Sequence, residues 1–333
     1  MRKALAVRRR QLGSSRAWVT ELSFGGAALG NLFTEVSDEA AAATVNAAWE
    51  VGIRYFDTAP HYGLGLSERR LGAALRAWPR DEYTVSTKVG RLLEPLPTPH
   101  GLDPEGFVVA ATHRRIWDFS ADGVLRSVED SLNRLGLDRI DVVYLHDPDQ
   151  DAEKAMKQAY PALERLRAEG VVRAIGAGMN QAELLTRFVR DTDMDVVLLA
   201  GRYSLLDQRG LAELLPEAGR RGRSVVVGGV FNSGLLADPR PGATFDYASA
   251  PDALLERALR IKAVCEKVGV PLRAAALRFP FGHPSVSSVL VGPRSAGEVE
   301  DAAAMLSRPV PAELWQALQD NGLLGEDVPV LRR

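Results

Sequence analysis

Four side chains of different chemistry stand at or just past the ends of short apolar runs. Asp57 falls late in Ile53–Ala59, Lys88 late in Thr84–Val89, and His146 closes Asp141–His146. Tyr62 follows Asp57 in the loop Pro60-His61-Tyr62-Gly63-Leu64-Gly65. A carboxylate, an ammonium, an imidazole and a phenol in one place can move a proton at an oxygen; the lysine alone could form a Schiff base. Strand alternation places Ile53, Tyr55 and Asp57 on one face, and Val142, Tyr144 and His146 on another. If both faces point inward, Asp57, Lys88 and His146 converge. The structural alternatives are a plain Asp57–Lys88 ion pair and an ordinary hydrogen-bonded interior histidine. The run His146-Asp147-Pro148-Asp149 also invites a metal reading, but alternation points His146 and Asp147 to opposite faces and no second histidine is suitably spaced. No metal site is expected.

The elements that must position these groups recur along the chain. Candidate strands are Ser23–Leu29, Ile53–Ala59, Thr84–Val89, Asp141–His146, Val172–Ala177, Val196–Ala200, Ser224–Val230 and Ser287–Val291. Runs such as Val196-Val197-Leu198-Leu199-Ala200 are apolar on both faces, as parallel strands covered on both sides must be. Helical stretches lie between them. In Asp122–Leu137 the residues Leu125, Val128, Leu132 and Leu135 form one apolar stripe. Ser37 before Asp38 and Glu39 opens one helix, and Asn180 with Glu183 resembles a capping box opening another. Gly136, Gly170 and Gly222 are placed to end helices. This alternation without a linker predicts an α/β chain folded as a single (β/α)8 TIM barrel domain over residues 1–333, its core about 22–306. Long insertions at Gly90–Phe119 and Asn232–Asp252 would lie at the carboxyl ends of strands, the face where barrels build sites.

Composition bounds the function. The chain has 333 residues, 46% hydrophobic and 25% charged, and its 41 Lys+Arg against 43 Asp+Glu leave a net charge of -2. That balance offers no field for nucleic acid. One cysteine, Cys265, excludes an internal disulfide framework. It reads as a small hydrophobe inside a helix. No apolar run reaches the roughly 18 residues of a membrane helix. Met1–Arg10 is basic without an apolar core, and Arg8-Arg9-Arg10 reads as a solvated tail. The expectation is a cytoplasmic enzyme acting on a small molecule, with no nucleic-acid or membrane partner and oligomeric state left open.

The segment Phe56-Asp57-Thr58-Ala59-Pro60-His61-Tyr62-Gly63-Leu64-Gly65-Leu66-Ser67-Glu68 resembles a signature of the aldo-keto reductase superfamily. Val85-Ser86-Thr87-Lys88-Val89-Gly90 and Asp141-Val142-Val143-Tyr144-Leu145-His146-Asp147 resemble its second and third, in order. Arg114–Gly123, His146-Asp147-Pro148-Asp149 and Ala200–Leu206 are similar to the aldose 1-dehydrogenase branch, near the pyridoxal 4-dehydrogenases. The resemblance implies NADP or NAD as cofactor and a sugar or aldehyde as substrate. An aldose such as L-fucose, L-galactose or D-arabinose would be oxidised at its anomeric carbon to the lactone. It implies that Tyr62 exchanges the proton, that Lys88 favours its phenolate, that Asp57 holds Lys88, and that His146 orients the reacting oxygen.

The same resemblance implies that Tyr203 stacks on the nicotinamide, Asn180 binds its carboxamide, and Gly26 and Ala27 let backbone approach. Gly229 and Phe231 would flank the pyrophosphate, and Gly292, Arg294, Ser295 and Glu298 would meet the adenosine ribose. His61, Trp117 and Asn232 are the substrate-pocket candidates. The chain departs from the pattern at Met179, Ala200 and Asp301-Ala302; Glu298 stands where a base often clamps a 2′-phosphate and would repel it, while Arg294 could attract it instead, which leaves both cofactor forms open. No G-x-G-x-x-G follows a strand. Competing readings are an aldehyde, ketone or pyridoxal oxidoreductase, a Schiff-base lyase using Lys88, and a non-catalytic NADP-binding regulatory subunit.

Overall fold

In the computed structural model eight strands lie side by side in parallel, each beside its successor in the chain, and the eighth returns to the first to close a barrel. The residues described are 7–99 and 101–331. Met1–Ala6 of the basic amino terminus, His100 and the last two residues lie outside them. The strands are β1 (Leu22–Gly25), β2 (Tyr55–Asp57), β3 (Thr84–Val89) and β4 (Val142–His146). They continue as β5 (Ala174–Met179), β6 (Val196–Ala200), β7 (Ser224–Gly228) and β8 (Val286–Val291). The first strand is shorter than its sequence suggests: at Gly26 the chain tightens into a 3-10 turn that runs to Gly30.

Alternation divides the apolar residues into two cores. Tyr55, Val142, Tyr144, Val196, Leu198 and Val226 fill the barrel interior. The alternate residues pack outward against the helices in a larger cluster. Ile53 belongs to that outer cluster, because β2 begins only at Tyr55. An amino-terminal hairpin (Arg9–Gln11 with Trp18–Thr20) brings Leu12, Ala17 and Val19 into the interior from below. Arg9 and Arg10 are therefore strand residues and not a solvated tail, and Arg10 Nη2 lies 2.8 Å from Glu21. Buried carboxylates at this end are consumed structurally. Asp141 pairs with Arg80 at 2.7 Å and Asp195 with Arg167 at 3.0 Å.

Helices follow the strands, among them α1 (Asp38–Glu50), α2 (Leu66–Leu75), α3 (Ala121–Leu135), α4 (Tyr160–Ala168), α5 (Ala182–Asp191) and α6 (Leu214–Arg220). Later come α7 (Asp252–Lys267), α8 (Leu272–Arg278) and α9 (Ala296–Ser307). Ser37 caps α1 through the Ala40 N–H and Ser120 caps α3 through the Gly123 N–H. Each such cap is worth about 1 kcal/mol. Gly136 ends α3 at φ 60°, the left-handed geometry of a helix stop.

Two helix readings change. On α3, Leu125 is 44% exposed and the buried face is Val124, Ser127, Val128, Ser131 and Leu135. Here α2 comes so near that a Cβ on Gly72 would lie 1.8 Å from the Leu135 carbonyl oxygen. The cap of α5 is Gln181 without a side-chain bond, so Asn180 with Glu183 is not a capping box.

Both insertions are ordered by antiparallel hairpins. The first contains Arg91–Pro95 paired with His113–Trp117, and the second Thr244–Phe245 paired with Ala248–Ser249. Among the described residues no helix is long and apolar enough to cross a membrane.

Candidate active site

Parallel register sets Asp57 beside Ser86, and Lys88 two residues on faces the same interior. Lys88 Nζ donates to Asp57 Oδ2 at 2.6 Å, to the Thr58 carbonyl at 2.9 Å and to the Tyr62 hydroxyl at 3.1 Å. These are the three bonds an ammonium can give. Asp57 and Lys88 are 1% and 3% exposed, so the pair is held away from water. Asp57 Oδ1 accepts from Ser86 Oγ at 2.7 Å. Below them a hydroxyl chain runs down the barrel axis, with Ser86 Oγ 3.0 Å from the Tyr55 hydroxyl and that hydroxyl 2.9 Å from Tyr144. The aspartate is thus fixed on both oxygens.

Electrostatics at the triad have opposing parts. Burial alone would pull the Lys88 ammonium down, but Asp57 and Tyr62 outweigh it and hold the amine above its ordinary value. Burial pushes the Tyr62 phenol above its ordinary value, and Lys88 opposes that without cancelling it. Lys88 does pull toward phenolate, while the net position of Tyr62 in the free protein is on the protonated side.

Tyr62 is seated by backbone packing. Gly63 adopts φ 61°, and a Cβ there would lie 2.3 Å from the Gly30 carbonyl oxygen. Side chains are excluded by conformation and by space alike. The loop is closed by the Gly65 N–H donating to the Pro60 carbonyl at 2.8 Å.

His146 ends β4 with its ring edge-on to Tyr62, centroids 5.8 Å apart and planes at 88°. Burial, then Arg91 and Lys88, keep its pKa well below the usual histidine value, so the ring is neutral at pH 7. Its Nδ1 is buried without a hydrogen-bond partner. His61 stands 5.5 Å from His146 and is pushed down to about 2 by burial, Arg91 and Arg115. Asp147 does not point away from His146 as alternation predicts. It takes a left-handed φ of 43°, which returns its carboxylate to 3.7 Å from His146 Nε2. That geometry is too long for a hydrogen bond. Among the described residues no group of His, Cys, Asp and Glu could hold a metal.

The first hairpin supplies side chains that spacing did not reveal. Arg91 binds Asp147 and lies 3.2 Å from His61 Nδ1. Its guanidinium sits 4.2 Å over Trp117, which is 41% exposed. Arg115 donates to the His61 carbonyl at 2.9 Å and forms a two-pronged pair with Asp103. Phe107, buried, packs edge-on against His61 at 5.2 Å. His61 and Trp117 therefore border the mouth. Asn232 is 2% exposed; its oxygen accepts from Ser204 at 2.6 Å and its amide donates to the Gly201 carbonyl. It ties two loops together and is not open to a substrate.

The residues assigned to a dinucleotide divide in the same way. Asn180 presents an exposed amide at the end of β5, and Gly229 is an exposed residue at φ 66°. A Cβ on Gly292 would meet only the Gly25 carbonyl, at 3.8 Å. Gly26 is buried under Ser67, Ala27 is half-exposed, and Phe231 is half-buried against the outer core. Ser295 caps α9, and Glu298 Oε2 accepts the Arg294 N–H at 2.9 Å, with all three residues exposed. An open amide after β5, open glycine backbone after β7 and β8 and a capped helix start all stand just past strand ends, and their hydrogen-bonding groups fit a nicotinamide dinucleotide in kind. Tyr203 is the exception. Its ring is 0% exposed in the outer core, tilted against Phe279 at 5.1 Å, and its hydroxyl has no partner. A ring that touches no solvent cannot stack on a ligand at the mouth, so that assignment is corrected.

The profile described as the Aldo/keto reductase family matches residues 21–321. A D-threo-aldose 1-dehydrogenase of a Pseudomonas species is 48% identical over 312 residues, spanning 92% of this chain and 95% of its own. A pyridoxal 4-dehydrogenase of Microbacterium luteolum is 40% identical over 96% of this chain and 98% of its own. The holo form of an aldo-keto reductase from Bacillus halodurans superposes with a TM-score of 0.77 at 28% identity, covering 97% of this chain and 98% of that one.

Proposed function

The chain belongs to the aldo/keto reductase family and is an NAD(P)-dependent oxidoreductase, and from that premise we propose that it oxidises an aldose at the anomeric carbon to the lactone, with Tyr62 as the proton-exchanging group. One observation carries this reading: Lys88 Nζ bridges Asp57 and the Tyr62 hydroxyl at 2.6 and 3.1 Å, with the neutral ring of His146 facing the same phenol. Asn180, Gly229, Gly292, Arg294 and Ser295 would hold the dinucleotide. When bound, its nicotinamide supplies the two-electron oxidant that accepts the anomeric hydride.

The residues divide the remaining work. Tyr62 takes the proton of the anomeric hydroxyl, and the ammonium of Lys88 lowers the cost of the phenolate that does so. Asp57, pinned by Ser86, keeps Lys88 charged and aimed. His146, uncharged, hydrogen-bonds the reacting oxygen without competing for its proton. In reduction the same phenol donates the proton. For the cofactor form, the Glu298 carboxylate already takes the Arg294 N–H at the start of α9, so a second anion there meets repulsion. This supports NAD over NADP.

The likeness to a pyridoxal 4-dehydrogenase favours pyridoxal as the second reading. A Schiff-base role for Lys88 is disfavoured by its three bonds and 3% exposure. The complete set of four side chains speaks against a purely regulatory subunit. The test is turnover of L-fucose, L-galactose, D-arabinose and pyridoxal with NAD and NADP, followed at the nicotinamide absorbance with lactone detection. Aldose-dependent lactone is expected; turnover of pyridoxal alone replaces the first reading by the second.

A further inference from the structure

We propose that Asp147, held by Arg91, is a specificity-determining residue that reads the hydroxyl on the carbon next to the reacting one. The proposal rests on the aldose reading above and adds the group that separates a hydroxylated substrate from a bare carbonyl.

Asp147 departs from the geometry its sequence dictates. A sixth strand residue would point its carboxylate into the outer core. Instead the backbone turns left-handed at φ 43° while its N–H still donates to the Gly178 carbonyl at 3.0 Å. A non-glycine residue in that region is strained and persists where the surroundings demand it. The outcome is a carboxylate at the mouth, 36% exposed by side chain and 3.7 Å from His146 Nε2. His146 is uncharged, so it does not neutralise this acid. Arg91 engages Oδ2, the same oxygen that lies 3.7 Å from His146 Nε2, and among the described residues no hydrogen bond falls on Oδ1. Arg91 is itself 12% exposed, seated on Trp117 and against His61, so it is a fixed clamp rather than a roaming surface charge.

A carboxylate with one oxygen this near the imidazole sits beside the oxygen that His146 would orient, and its second oxygen can accept a further hydrogen bond. In an aldose the next oxygen along is the 2-hydroxyl, a donor that matches the open Asp147 oxygen. A substrate without that hydroxyl leaves the second oxygen of a partly desolvated carboxylate without a donor, and such sites discriminate against the missing group. Arg91 acts through Asp147 and is a positioning residue.

The test compares wild type, Asp147→Asn and Arg91→Lys on L-fucose or D-arabinose, each against its 2-deoxy analogue. In wild type the kcat/KM ratio of parent to 2-deoxy sugar is expected to be at least about 30, and in Asp147→Asn to collapse to within about 3, the loss appearing mainly in KM. Arg91→Lys gives an intermediate ratio. A ratio that is unchanged in Asp147→Asn overturns the proposal, as does an equal loss on both sugars. A wild type that turns over small aldehydes but none of the aldoses removes the aldose reading and this proposal together.

Discussion

Gly30 and Gly63 touch backbone to backbone: a Cβ on Gly63 would sit 2.3 Å from the Gly30 carbonyl oxygen, and a Cβ on Gly30 would sit 2.6 Å from the Tyr62 carbonyl carbon. The contact locks the loop carrying the phenol onto the turn after β1. Neither partner is a flexible side-chain end that could swing aside. Gly63→Ala is therefore expected to lower stability by about 1–3 kcal/mol by overpacking and positive-φ strain. It should also lower kcat at least about tenfold, by moving Tyr62 away from Lys88. Urea unfolding and steady-state kinetics on the same protein check both; full kcat at reduced stability would separate the contact from catalysis.

The pH profile follows from the shifts at the mouth. Oxidation needs Tyr62 deprotonated, and burial holds that phenol above its ordinary value. The rate of aldose oxidation should thus rise with pH between about 6 and 9, while reduction stays flat or falls. His146 is well below the usual value and His61 near 2, so neither should add an inflection where an ordinary histidine titrates. Removing the cation in Lys88→Met should move the alkaline limb further up, since the ammonium is what opposes burial at the phenol. A limb that moves down in that variant contradicts the assignment.

Ser86→Ala removes the bond that holds Asp57 Oδ1 and leaves the Tyr55 hydroxyl short of a partner. A stability loss of about 1–3 kcal/mol is expected from the buried polar group left unpaired. The alkaline limb should shift with it, because a looser aspartate holds Lys88 less well. Thermal unfolding and the pH profile of oxidation read the two effects independently.

At the start of α9, Glu298→Lys exchanges a carboxylate for a cation. Fluorescence titration should show NADH binding more tightly than NADPH in wild type, and the preference narrowing or reversing in the variant by at least about tenfold. NADPH binding more tightly in wild type would overturn the proposed role of Glu298.

Fold and site were legible in the sequence to different depths. The barrel could be read because strands covered on both faces must be apolar throughout, and Val196–Ala200 or Ser224–Gly228 can be little else. Asp57, Lys88 and His146 stood out for the same reason, as polar residues at the ends of apolar runs. What failed depended on three-dimensional detail. Leu125 and Val124 both satisfy a helical period, and only the orientation in which α3 packs chooses between them. Tyr203 follows β6 in the chain, but its position in sequence does not say that the loop folds outward onto Phe279. Asp147 was misread because one left-handed residue ends the alternation. Arg91, Arg115 and Phe107 come from a hairpin folded back over the mouth, a long-range contact with no spacing signal. A polar or aromatic residue within a long insertion at the carboxyl face was the only clue.

The central claim is that the phenol of Tyr62, tuned by Lys88, moves the proton. Tyr62→Phe keeps the ring and removes only the hydroxyl, so single-turnover kinetics with preloaded nicotinamide coenzyme test the claim most directly. The account predicts that the hydride-transfer rate falls by about 10²–10⁴ with coenzyme affinity within about threefold of wild type. A hydride-transfer rate close to wild type would contradict it and pass the proton to another group.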